Sequence, residues 1–104
     1  MFINLTPHEV KIIKKDGVIV IPAGEQVARC EQSEECVGEL EGVPVMRLVM
    51  GELTGLPAQR PGVTYIVSHI VLQKAAGRQD LVKPGELVRD ENGVIIGCRG
   101  FCRL

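Results

Sequence analysis

Seven of the 12 basic residues in this 104-residue chain are arginines: Arg29, Arg47, Arg60, Arg78, Arg89, Arg99 and Arg103. A guanidinium presents a rigid fork that grips a phosphate or carboxylate through two parallel hydrogen bonds. Arginine is therefore the residue of choice for compact anions. Arg29, Arg89 and Arg99 fall within apolar, strand-like segments, and Arg78 directly follows a short helical one, where a merely solvated charge is not expected. Any one of them can pair with a neighbour such as Asp80 or Asp90, or point outward from a wet strand face. Taken as a set, they point to an anion site.

Other chemistries fit less well. Nucleophilic catalysis needs a Cys or Ser beside a His and an orienting group. His8 and His69 are the only histidines, and neither lies in a recognised nucleophile motif. No G-x-S-x-G, H-E-x-x-H or phosphate-binding loop occurs, and a carboxylate pair such as Asp80 with Asp90 is one of many that 13 acidic residues offer. The chain is expected not to be an enzyme and to need no cofactor. Structural zinc sites space their thiolates two to four residues apart. Cys98 and Cys102 meet that spacing loosely, whereas Cys30 and Cys36 do not. No metal is expected, and the four cysteines are expected to be free thiols in a reducing cytoplasm.

The elements that must position these groups read as short strands. Twelve glycines and six prolines punctuate segments rich in Val and Ile, the rhythm of a mostly β domain. Phe2 to Leu5 is a short strand followed by a turn at Pro7. Asp16-Gly17 lies between two β-branched runs and predicts a type I′ hairpin, and Asn92-Gly93 predicts a second. Gln26 to Cys30 reads as a strand, Glu31 to Glu35 as an acidic loop, and Val43 to Met50 as extended with Val45, Arg47 and Val49 on one face. Thr54 to Gly62 is a long Pro/Gly loop, of the kind that often carries function. Ser68 is a candidate N-cap for a helix through about Ala76, which Gly77 ends. The expected fold is a small curled β-barrel or sandwich of about seven strands with one short helix at about residues 68–76, in a single domain spanning 1–104.

Composition narrows the partners. The net charge of −1 argues against nucleic acid or an anionic membrane, and no segment approaches a membrane span. With one Tyr, two Phe and no Trp, the core must be aliphatic and stacking platforms for single strands are missing. A start without a basic or apolar leader pattern points to the cytoplasm. A homo-oligomer is expected, because small β domains leave strand edges to cover.

Several motifs then stand together: Asn4-Leu5-Thr6-Pro7-His8, Gly24-x-x-Val27-Ala28-Arg29, Gly55-Leu56-Pro57, Tyr65-Ile66-Val67-Ser68 and Arg78-x-Asp80. The last is Val88-Arg89-Asp90-x-x-Gly93-x-Ile95-Ile96-Gly97-x-Arg99-Gly100-Phe101. As a set, over nearly the whole chain, they resemble a family of small bacteriophage and prophage proteins. The resemblance implies a phage accessory protein in the host cytoplasm and brings no established activity. Its polar positions are Asn4, Thr6, His8, Arg29, Ser68, Arg78, Asp80, Arg89, Asp90 and Arg99. They fall at strand ends, turns and the helix start, and offer donors and acceptors for a sugar, an amide and a phosphate. The expectation is a protein that binds a small anionic, nucleotide-like molecule, a bacterial defence signal sequestered by the phage. The alternative is a protein-interaction or virion-associated module with no such ligand.

Overall fold

A computed structural model describes residues 1–104. Ten strands and one helix follow in the order β1 (Phe2–Asn4), β2 (Val10–Lys14), β3 (Gly17–Ile21), β4 (Arg29–Leu40), β5 (Val43–Thr54), β6 (Thr64–Ile66), α1 (His69–Lys74), β7 (Leu81–Pro84), β8 (Leu87–Arg89), β9 (Ile95–Cys98) and β10 (Phe101–Cys102). The fold is mostly β with one short helix. The strands form a sheet of order β1-β6-β7-β10, a second of order β3-β2-β9-β8, and a separate β4-β5 ribbon. The sheets do not close into a barrel, and strands number ten rather than about seven, because Leu81–Pro84 and Phe101–Cys102, not expected as strands, both pair. The expected acidic loop at Glu31–Glu35 is part of the 12-residue β4.

The first sheet is the centre of a three-layer body. β6 runs parallel to β1 and to β7, and α1 makes the crossover between β6 and β7. Successive strand residues point to opposite faces. Tyr65, Val67 and Leu81 therefore pack with Val71 and Leu72 of α1, while Ile66 and Val82 pack with Val10, Ile12 and Cys98 of the second sheet. Strands buried on both faces read as continuous apolar runs, which Tyr65-Ile66-Val67 is. The helix begins at Ser68, whose hydroxyl accepts from the Val71 N–H at 3.5 Å. It ends at Lys74, two residues short of the expected Ala76, and Gly77 turns the chain with φ 103°.

Both expected hairpins form, with a different turn. Lys14 pairs with Gly17, so Lys15 and Asp16 are the central residues and only Gly17 has positive φ. At the second, the Asp90 carboxylate accepts from the N–H groups of Asn92 (2.8 Å) and Val94 (3.0 Å), and Gly93 alone is left-handed. Asp16 and Asn92 thus both keep a negative φ, and the glycine after each takes the positive one. The true type I′ geometry lies at Glu41 (φ 52°) and Gly42 (φ 81°), between the paired Leu40 and Val43.

Those two residues are the tip of an arm. Beyond Cys30 and Leu53, which pack against the first core cluster, the β4-β5 ribbon leaves the body. From Glu31 to Glu52 no residue is buried, and only Val45 and Gly51 are half-buried. The arm stretches the molecule to 53 × 40 × 23 Å, with a radius of gyration of 16.6 Å. A compact chain of this length has about 13 Å.

Candidate functional site

The expected site residues are each placed by their own chain. Asn4 is buried, and its amide donates to the carbonyls of His8 (2.8 Å) and Pro22 (2.9 Å). Its side-chain oxygen accepts from the Thr6 backbone N–H (2.9 Å) and the Thr6 hydroxyl (2.7 Å). Asn4 therefore ties β1 to the following turn and to the Pro22 segment. Gly24 belongs to the same knot: a Cβ there would stand 2.0 Å from the Asn4 carbonyl oxygen, so only glycine fits. His8 contributes its backbone carbonyl, and its ring is exposed.

Arg78 and Asp80 form a bidentate pair across the end of the crossover, with contacts of 2.9 and 2.5 Å. The Asp80 side chain is 4% exposed and that of Arg78 27%. The Arg78 hydrogen bonds hold the Asp80 carboxyl below its ordinary value against the opposing effect of burial, and the same bonds raise the guanidinium above its own. A third Arg78 N–H donates to the Pro57 carbonyl at 2.9 Å. The Tyr65 hydroxyl donates to Ala58 at 3.2 Å. These two bonds order the long Pro/Gly loop from beneath, which is why it holds a shape without secondary structure.

The remaining residues lie apart. Arg29 is exposed at the base of the arm, and Ser68 caps α1. Arg89 donates to the Gly93 carbonyl at 3.0 Å within its own hairpin, where Asp90 makes the turn. Arg99 faces Glu86 at 3.7 Å, with both side chains well exposed. Of Arg29, Arg78, Arg89 and Arg99, only Arg78 lines one of the four best-defined hollows. The structure does not bring the four together.

Two other features stand out as functional candidates. One is an open cleft of about 650 Å³ between the Pro22–Gln26 segment and the Pro57–Arg60 loop, floored by Phe2–Leu5 and Tyr65. Arg60 borders it and a second hollow of about 640 Å³ that includes Thr64 and Asp80. Arg60 has no acidic partner within ion-pair distance. The signal for it was its place in the long Pro/Gly loop. The other feature is the arm itself, which bears seven of the exposed large hydrophobics: Val37, Leu40, Val43, Met46, Leu48, Val49 and Met50. Nothing in the sequence pattern marks the acidic half of that arm as a strand.

The four cysteines are free: Cys98 is buried with its thiol toward the Lys11 carbonyl, Cys30 is half-buried, and Cys36 and Cys102 are exposed. No three His, Cys, Asp or Glu side chains gather as a metal site, and no helix is long and apolar enough to cross a membrane. Compared with models of known protein families, with curated proteins and with solved structures, the chain matches none.

Proposed function

We propose that this chain is a non-enzymatic phage accessory protein that works by protein association through its hairpin arm. The observation that carries this reading is the arm's exposure: 22 consecutive residues, Glu31 to Glu52, with none buried. An isolated two-stranded ribbon is at best marginally stable in water, since it lacks a third strand or a covering helix. Its valines, leucines and methionines gain stability only by being covered, and methionine is suited to surfaces that adapt to a partner. A photo-crosslinking side chain in place of Leu48, in cells, is expected to give a covalent protein adduct. The same group in place of Gln73, exposed on α1 at the far side of the body, is expected to give none. Absence of any adduct from position 48 would refute the reading.

The cleft beside Arg60 favours a second reading, a small anionic, nucleotide-like ligand held in the host cytoplasm as a sequestered defence signal. Its volume is within the usual range of ligand sites, and an unpaired guanidinium at the rim supplies the anion contact. Cyclic nucleotides or ADP-ribose derivatives should then raise the melting temperature of the wild type and not of Arg60→Ala. A screen that shifts neither protein retires this reading.

A further inference from the structure

We propose that the arm of one copy lies across the outer face of the β3-β2-β9-β8 sheet of a second copy. This rests on the reading of the arm as an association surface, and it names the partner.

The second sheet is covered on one side, and there only at its centre. Val10, Ile12 and Cys98 turn inward to the core, while Ile19, paired with Ile12 on the same side, stays exposed on the edge strand. By strand alternation Val18, Val20 and Ile95 lie on the opposite side and are exposed, with Ile13 between them against Gly97. This is an apolar sheet face with no layer over it. The arm offers a matching surface: Met46, Leu48 and Met50 stand in one column on β5, all exposed, opposite Cys36, Glu34 and Gln32 on β4.

Charge decides between the available pairings. From Arg29 to Thr54 the arm carries six glutamates and two arginines, a net of −4, while the rest of the chain holds ten cations and seven acids, a net of +3. Packing arm on arm would set −4 against −4. Packing arm on body sets opposite signs together, with Lys11 on the same sheet face as Val20 and Glu34 beside Leu48 on the arm. Complementary fields of this kind select partner and orientation.

The areas agree. The chain exposes 7296 Å². A compact monomer of its mass exposes about 5,700 Å² by the usual scaling, so roughly 1,500 Å² is in excess. One face of a 12-residue ribbon is about 40 Å by 10 Å. The receiving sheet, four strands of at most five residues, is about 19 Å by about 17 Å, so each contact covers about 320 Å². A two-fold pair making two such contacts covers about 640 Å² per partner, at the lower end of standard specific interfaces.

Sedimentation equilibrium of the purified full chain is expected to give twice the 11.3 kDa chain mass. Leu48→Glu on the arm and Val20→Glu on the sheet each place a charge in the apolar contact, and each should weaken association by about 10-fold or more. Mixed together, the two variants should recover part of the association, because the intact arm of Val20→Glu can still dock on the intact sheet of Leu48→Glu. An unfolded variant could not complement in this way. A wild type that stays monomeric up to its solubility limit overturns the proposal, as does a Val20→Glu variant that assembles like the wild type. A monomeric pure chain whose arm crosslinks to a foreign protein removes this inference and leaves the arm reading standing. No adduct at all removes both.

Discussion

Body and arm are built from the same alphabet under opposite constraints. In the body, each polar group that leaves water meets a partner: Asn4 satisfies all four of its hydrogen-bonding positions, and no buried side-chain nitrogen or oxygen lacks a bond. In the arm, strand pairing satisfies the backbone and almost nothing satisfies the side chains. Apolar residues stand in water at Leu40, Val43 and Leu48, each more than half exposed. The comparison teaches where the chain is self-sufficient and where it is not. The body's two core clusters hold its shape without a partner, although the outer face of its second sheet stays uncovered, whereas the arm holds a shape that becomes favourable once something covers it.

Two ion pairs make the contrast measurable, and the body's pair gives the larger effect. Arg78→Ala leaves the 4%-exposed Asp80 carboxylate unpaired, at a cost of about 3 kcal/mol, or about 15 °C in melting temperature. In the arm, Arg47 pairs with Glu35 while both side chains are more than half exposed, so Arg47→Ala should cost under about 0.5 kcal/mol. Thermal unfolding of the two variants under one buffer checks the ordering, and equal shifts would erase the distinction. The pH dependence has a definite sign. Asp80 titrates below the ordinary carboxylate value of 3.8, so its stabilisation is complete above that value and is lost as pH falls through the lower folded one. Arg78 stays charged throughout this range and adds no slope. Arg78→Ala should therefore flatten the acid limb of the stability curve, and Arg47→Ala should leave it unchanged.

Much of the body was legible in the sequence because its signals are local and mutually consistent, but β7 and β10 were not, since Leu81-Val82-Lys83-Pro84 and Phe101-Cys102 are too short to show a strand pattern. The β-branched runs around Asp16-Gly17 and Asn92-Gly93, the apolar run of β6 and the Ser68 cap all agree with the packing that follows. The arm was not, because a strand wet on both faces has no reason to alternate. Glu31-Gln32-Ser33-Glu34-Glu35 has the composition of a loop, and Glu41 is an unusual residue for a left-handed turn position. The candidate site was half legible. That Asn4, Thr6, Arg78 and Asp80 are special follows from their setting. Whether their donors and acceptors serve a ligand or the chain's own backbone depends on where distant carbonyls, such as those of Pro22 and Pro57, arrive. Only the fold decides that.

Changes at the tip test whether the arm unfolds as a unit of its own. Gly42 has φ 81° in the tip, and a Cβ there meets nothing within 4 Å, so Gly42→Ala adds backbone strain and no clash. That strain is about 1 kcal/mol. Gly42→Asn should cost less, since asparagine tolerates the left-handed region. The neighbouring Glu41 already bears a positive φ of 52°, so Glu41→Asn should relieve strain and stabilise the tip by about 0.5 kcal/mol. All three changes lie far from the two core clusters. Amide exchange should therefore speed up along β4 and β5 for Gly42→Ala, slow for Glu41→Asn, and stay constant for Tyr65, Ile66 and Val82 at the body's centre. Were the exchange of those three core amides to change in step with the arm's, arm and body would form one cooperative unit. The arm would then draw its stability from the body rather than from whatever covers it.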